Sequence, residues 1–561
     1  MRNKLLNLFG ILLALYTVFL ICGMAFHSFS EISVPNEYQE VSNIQVARSF
    51  YDGINPYTLK NAVGGEEPGV VYPYGPVYPL LCAFAARLFS MDLIFSGYLV
   101  SFLAMLLSAA LGAWMVKEQT RTLFAPLAAF PLLINCTWRY GYINAVPDAL
   151  AFLWVMLALL IETRKKCRFR ELLEVLLILL AFYTKIYMAY IALPLFLLKL
   201  MRKKKDALKF ALLGLLIGAA SIVVVSAACP LLWTYSVYML MGLHGITDEE
   251  YAATVNRISS AAPGQLQEMI EVLTFQNEKD PIGGLGYEGL QLRSLGGIFI
   301  FFFLGAVALV YGLLRKKSSK ATDYQLLMLL TLLVSVPVMA VLGSNGGAWL
   351  SYYLQIQIPA LVMVVIPFLE EKALCPQGIK LQAAWTVFLC LSLVFTLYRT
   401  DRRLPYYYMT EDQKQVWADA YGLLDEYLEE GEIYYSPVLA FHAEKNGQYY
   451  YNNGFVGGSG SRRRYVEWTL VKWEQVLFPP AGEYLKKHIS FQEELKEKIR
   501  AGDYAMITAT WSRGGSDRVI SVQDVEEGPY RLLKETDMPM SREDFVISYY
   551  IRTGGSNGKD Q

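Results

Sequence analysis

Residues 171–201 form one apolar stretch of about 31 residues between two cation clusters, R-K-K-C-R-F-R at 164–170 and R-K-K-K at 202–205. Clustered lysine and arginine mark the cytoplasmic side of a membrane. A single crossing would put one cluster outside. Two full crossings do not fit, because a bilayer core of ~30 Å takes roughly 20 apolar residues per helix. The arrangement that satisfies both constraints is a hairpin of two short or broken helices with Thr184-Lys185 near its apex. Irregular backbone at that depth is tolerated only where it is buried in protein or lines a cavity.

The same length rule places further spans near 5–25, 93–116, 122–138, 144–162, 207–228, 296–314, 324–342, 350–369 and 381–398. Counting the hairpin as two gives about eleven spans, with the N-terminus inside and the C-terminus outside. Cation placement agrees: Arg2/Lys4, Lys117/Arg121, both clusters above, Arg315-Lys316-Lys317 and Lys372/Lys380 all fall on the inner side. The first run, Leu5–Phe26, is longer than a signal core and reads as an uncleaved helix. A mean hydropathy of +0.32 agrees with a polytopic membrane protein, and zero formal net charge argues against a nucleic-acid partner. The predicted fold is mostly α: a transmembrane helical bundle over 1–399, then an extracytoplasmic α/β domain over 400–561. In that second part helical charge patterns (Glu411–Glu430) alternate with strand-like runs (Ile433–Tyr435, Tyr449–Tyr451, Tyr504–Thr508, Phe545–Ile551).

Candidate chemistry gathers in the outer loop 26–92. An amphipathic helix is predicted over 37–51, and a short apolar segment over 77–90 lies on the surface. At ~100° per residue Glu37 shares a stripe with Val41, Ile44 and Arg48, and Glu40 sits at its edge. A carboxylate on a partly buried face can serve as a general base, whereas an acid in a first helical turn also simply complements the helix dipole. Glu66 and Glu67, in a Gly-flanked break, read as solvated, and Asp52 before Gly53 as a turn residue. Lys185 is a cation inside an apolar hairpin, by default a functional position, whose alternative is snorkelling to the interface. Asp148 follows Pro147 at a helix start, a good structural position in its own right. Tyrosines such as Tyr74, Tyr78, Tyr352 and Tyr353 fit an interfacial belt as well as a ligand site. The four histidines show no metal spacing, and there is no nucleophile elbow, phosphate loop or zinc motif.

These stretches, in this order, resemble the GT-C class of polytopic glycosyltransferases, in the branch of protein O-mannosyltransferases and the lipid A aminoarabinose transferase. The matching elements are Asn36-Glu37, Gly53-Ile54-Asn55-Pro56-Tyr57, Tyr74–Pro79, Val146-Pro147-Asp148-Ala149-Leu150, Thr184-Lys185, and Ser351-Tyr352-Tyr353-Leu354 through Pro359-Ala360-Leu361. The resemblance covers about residues 1–400.

It implies an inverting transfer of a sugar from a polyprenyl-phosphate donor to an outer-face acceptor: polysaccharide, glycolipid or protein. It implies Glu37 as base with Glu40 behind it, and Lys185 with Arg48 or Arg139 on the lipid phosphate. Asp148, Tyr74, Tyr78, Tyr352 and Tyr353 would then line the substrate cavity. No cofactor or metal is expected. The chain departs from the family pattern at Asn36, at Val146 where the family has arginine, and at Tyr74-Gly75 where the aminoarabinose branch has lysine. The sugar therefore does not carry over. A lipid-linked saccharide transporter or a non-catalytic envelope-assembly protein are the alternatives. The lack of internal repeats and the large polar tail weigh against a transporter.

Overall fold

The computed structural model describes residues 2–30, 38–62, 74–138, 144–164, 167–238, 298–315, 322–343, 356–373, 411–429, 431–436, 439–446, 472–511, 522–538 and 545–553, with a few isolated positions between them. The chain is a polytopic helical bundle followed by an α/β domain.

The bundle opens with α1 (Arg2–Ser30), α2 (Tyr38–Tyr51), the single turn α3 (Leu59–Ala62) and α4 (Val77–Phe89). Next come α5 (Leu93–Gln119), α6 (Phe124–Trp138) and α7 (Asp148–Thr163). Among the described residues three helices are long and apolar enough to cross a membrane: Leu93–Gln119, Lys204–Ala228 and Asp323–Ala340. Helix α5 is the hub. Asp92 caps its start by accepting from the Phe95 N–H at 2.9 Å, and its small residues Ser96, Gly97, Ser101, Ala104 and Ser108 are buried or closely packed against neighbours. Small side chains let helices approach closely where lipid supplies no hydrophobic drive. The short apolar segment expected over 77–90 forms helix α4, with Tyr78, Cys82 and Ala86 buried while Leu80, Phe84 and Leu88 face outward.

The predicted hairpin is present. Helix α8 (Arg170–Thr184) ends at Lys185, a 3₁₀ segment (Ile186–Ile191) turns the chain, and α9 (Ala192–Arg202) returns. Lys199, near the end of α9, lies 2.9 Å from Glu174, near the start of α8, so the arms run antiparallel. Helix α10 (Lys204–Ala228) follows, ending near a π-helical turn at Thr234–Tyr238. The later bundle helices are Ile298–Arg315, Asp323–Gly343 and Gln357–Ala373. The last begins at Gln357, where the hydropathy pattern placed a span from 350. The predicted span 381–398 falls outside the described residues except at one isolated position.

The C-terminal domain has a three-stranded antiparallel sheet in the order β1-β3-β2: β1 (Met506–Trp511), β2 (Tyr530–Met538) and β3 (Phe545–Arg552). The expected run Ile433–Tyr435 lies parallel to the start of β1, with the bridge Tyr435 to Ile507. Backbone hydrogen bonds run from the Ala505 N–H to the Ile433 carbonyl, from the Tyr435 N–H to the Met506 carbonyl and from the Thr508 N–H to the Tyr435 carbonyl. One correction applies: strand β2 was not expected. It is the edge strand, and its Arg531, Lys534 and Glu535 are exposed charges of the kind that keep an edge from pairing further. Tyr449–Tyr451 lies outside the described residues.

The domain is seated on the bundle rather than tethered to it. Tyr484, on the helix Ala481–Ala501, meets the Tyr235 ring edge-on at 5.2 Å. Phe478 lies against Tyr238 at 5.3 Å, and the Lys487 ammonium donates to the Leu59 carbonyl at 2.8 Å.

Candidate active site

At the hairpin turn the sequence elements singled out above meet one another. Helix α8 stops because Thr184 turns its hydroxyl back onto the Leu180 carbonyl (2.6 Å) and Lys185 adopts an extended backbone. The Lys185 ammonium then points into protein, 2.6 Å from Asp148 Oδ1, with both side chains almost fully buried. Asp148 is the first residue of α7, just after Pro147, as the sequence predicts. Its partner, however, is a buried cation as well as a helix dipole. An ion pair this deep holds only when both partners are present. Two aromatic faces flank the cation, Tyr74 at 5.2 Å and Tyr187 at 5.1 Å.

Tyr74 is held in place from two sides. Its carbonyl accepts a hydrogen bond from the Tyr57 hydroxyl at 3.0 Å. Gly75 presses against the end of α8, where a Cβ would lie 1.8 Å from the Tyr183 carbonyl oxygen. Only glycine permits that approach. The Asn55-Pro56-Tyr57 element is thereby a clamp. Asn55 Nδ2 donates to the Ala228 carbonyl at the end of α10 (2.7 Å), Tyr57 stacks on Phe50, and the Pro56 carbonyl accepts from Tyr235.

Helix α2 approaches from the other side. Glu40 is fully buried and accepts from the Ala145 N–H at 2.9 Å, while Asn43 Nδ2 donates to the Ala145 carbonyl at 2.7 Å. Helix α2 thus grips both backbone polar groups of a single residue, three before Asp148. The Val146 carbonyl is held in turn by Ser101 at 2.9 Å. The single buried stripe expected on this helix is not what the structure shows: Glu40, Val41, Ser42, Asn43 and Ile44 are buried in succession, so Glu40 is not at an edge.

The remaining candidates sort themselves by position. Tyr78 is buried between α4 and α5, bonded to the Gly97 carbonyl at 2.9 Å and to the Ser101 hydroxyl at 3.0 Å, and it serves packing rather than a cavity wall. Arg48 does not join Lys185: its guanidinium lies 2.5 Å from Glu444 of the C-terminal domain and over the Tyr51 ring. Glu37, Arg139, Tyr352 and Tyr353 lie outside the described residues. The sequence reading missed Asn43, Gly75 and Tyr187. Asn43 falls about 120° from Glu37 around the helix, off the stripe of Val41, Ile44 and Arg48, so the helical phase did not mark it. Gly75 and Tyr187 depend on contacts made across the fold. Among the described residues no group of three or more His, Cys, Asp or Glu side chains is arranged to hold a metal ion.

No family model matches the chain, and no curated protein matches it in sequence. Two solved structures are similar over almost its whole length. ArnT from Cupriavidus metallidurans in the apo state is 11% identical, covering 95% of this chain and 97% of that one, with a TM-score of 0.40. The same protein bound to undecaprenyl phosphate is 12% identical, covering 96% and 97%, with a TM-score of 0.41.

Proposed function

We propose that this chain is an integral membrane glycosyltransferase that takes a sugar from a polyprenyl-phosphate donor and passes it, with inversion, to an acceptor hydroxyl on the extracytoplasmic side. The observation that carries the reading is Lys185. A buried ammonium at the turn of a re-entrant hairpin, oriented by Asp148 and walled by Tyr74 and Tyr187, is an anchor for one anionic group at membrane depth.

The chemistry follows from what such a donor needs. A phosphate monoester is already a good leaving group, so the protein must hold its charge rather than protonate it. The acceptor oxygen loses its proton to the Glu37 carboxylate and bonds to the anomeric carbon. The bond from that carbon to the phosphate oxygen breaks, and its electron pair leaves with the polyprenyl phosphate beside Lys185. Glu40, bound to Ala145, acts as a positioning residue in this scheme, and Arg48, bound to Glu444, does not contact the phosphate. Arg139, Tyr352 and Tyr353 keep the donor-side roles that the resemblance implies. The transfer is proposed to need no metal, and the C-terminal domain is placed outside the membrane, beside the acceptor.

The test is an assay in membranes with a radiolabelled polyprenyl-phosphate sugar. Label should move to an acceptor, and Glu37→Gln at normal expression should abolish the movement. Full transfer by that variant would remove Glu37 as the base. Movement of lipid without covalent transfer would replace the transferase with a transporter.

A further inference from the structure

The C-terminal domain reaches the helix that grips the Asp148 turn. Glu444, on the short helix Ala440–Lys445, has its side chain 5% exposed and sits 2.5 Å from the Arg48 guanidinium on the last turn of α2. The same guanidinium lies 5.3 Å from the Tyr51 ring centroid, and Arg87 of α4 approaches that ring at 5.2 Å. The end of α2 is thus fixed between α4 and the C-terminal domain. Its other end carries Glu40 and Asn43, which hold Ala145 by both its N–H and its carbonyl.

From Glu444, then, contacts run without a gap through Arg48 and α2 to Ala145, and from there to Asp148 and Lys185. A contiguous path alone does not establish coupling. Two features make this one mechanically effective. The buried carboxylate of Glu444 is a poor place for an unpaired charge, so the contact resists opening. And α2 is a single rigid element, about 20 Å long at 1.5 Å per residue, that transmits a shift at one end to the other.

We propose that Glu444 is a positioning residue for the candidate active site: by holding Arg48 it sets the seating of α2, and with it the register of the Asp148–Lys185 pair. The C-terminal domain is then part of the catalytic scaffold and not merely a neighbour of the acceptor. The functional half of this inference rests on the transferase reading; the structural half does not.

The experiment uses the full chain in lipid nanodiscs, with Glu444→Gln, Arg48→Gln, the double variant, and the charge swap Arg48→Glu with Glu444→Arg. Hydrogen exchange of the α2 amides is the first readout. Each single variant should speed it about tenfold or more, the double variant no further than a single one, and the swap should restore most of the protection. Transfer from a radiolabelled polyprenyl-phosphate sugar is the second, with kcat expected to fall about tenfold while donor KM stays within about twofold. Unchanged α2 exchange in Glu444→Gln and Arg48→Gln overturns the proposal, whatever the wild type does with the donor. Altered exchange with a wild type inert toward the donor supports the positioning contact and counts against the transferase reading. A loss of activity confined to a rise in donor KM would overturn positioning in favour of a direct phosphate contact by Arg48.

Discussion

Lys185 and Lys199 meet α7 in the same way, each reaching a carboxylate 37 residues earlier in the chain, Asp148 at the hairpin turn and Glu162 at the far end. The return arm of the hairpin therefore lies parallel to α7 and is clipped to it at both ends, ~21 Å apart along the helix. The two clips differ in surroundings. Lys199 sits between two buried carboxylates, Glu162 and Glu174, with Arg202 also reaching Glu162. Lys185 meets the Asp148 carboxylate between the faces of Tyr74 and Tyr187.

On the proposed function Lys199 is a structural lysine and Lys185 a functional one, and the two roles predict different variants. Lys199→Met leaves Glu174 without its cation, while Glu162 keeps Arg202, and should cost about 3–5 kcal/mol of stability. Lys185→Met should cost a similar amount and also reduce transfer by roughly 10²–10³-fold, the loss expected when a charge-stabilising group is removed. The double variant Lys185→Met with Asp148→Asn removes both charges. Its melting temperature should recover most of the loss, while transfer should not recover. Restored transfer in the double variant would show that Lys185 serves only to neutralise Asp148.

Gly75 gives a steric prediction. Alanine there would put its methyl 1.8 Å from the Tyr183 carbonyl oxygen, a backbone atom that cannot swing aside. Alanine at Gly97 meets the Ile44 Cδ1 at 2.9 Å, the far end of a flexible side chain, and the Ala145 Cβ at 3.1 Å, which need give only by a few tenths of an ångström. Gly75→Ala should therefore destabilise by about 3 kcal/mol or more and displace Tyr74 from Lys185, whereas Gly97→Ala should cost roughly 1 kcal/mol. Thermal unfolding of the two variants side by side decides it, and equal melting temperatures would refute the argument.

How much of this could be read in advance follows the same division between local and distant causes. Apolar length and cation placement are one-dimensional properties, so the hairpin with Lys185 at its turn was legible. A helix was expected over 37–51 and is present over Tyr38–Tyr51, but its amphipathic phase misled, because the surrounding elements bury it on nearly every side. Asp148 at a Pro-marked helix start was legible too, but not its buried partner. Arg48 illustrates the limit. Its partner is Glu444, 396 residues away, and no local pattern encodes that pairing. Strand β2 escaped for a different reason. An edge strand is selected for exposed charge, so Y-R-L-L-K-E-T-D-M lacks the apolar alternation that marks a buried strand.

Tyr78 is the control among the tyrosines. Its hydroxyl joins α4 to α5 through the Gly97 carbonyl and Ser101, away from Lys185. Tyr78→Phe should lower stability by about 1–2 kcal/mol and leave donor KM unchanged. Tyr74→Ala, which removes an aromatic wall of the Lys185 site, should raise donor KM instead. Measuring both constants for both variants tests the assignment, and a raised KM in Tyr78→Phe would place that residue back in the substrate cavity.

His488 makes the C-terminal domain sensitive to acid. It is buried on the helix Ala481–Ala501 beside Tyr484, and burial pushes its imidazole down from 6.5 to about 4. The folded domain thus holds a neutral ring where the unfolded chain would be protonated. Above the unfolded value both states are neutral and pH has no effect through this group. As pH falls below about 6.5 the unfolded state gains a proton that the folded state resists, so stability declines until the folded ring titrates near 4. The total loss through this one residue is on the order of 3 kcal/mol, from 1.36 kcal/mol per pKa unit. Because Tyr484 also touches Tyr235, the domain's seat on the bundle should loosen over the same window. Hydrogen exchange of the 481–501 helix at about pH 7.5 and about pH 4.5 measures it, compared between wild type and His488→Phe. The wild type should lose protection on acidification by roughly 10²-fold more than the variant, and equal losses in the two would reject burial of a neutral His488 as the cause.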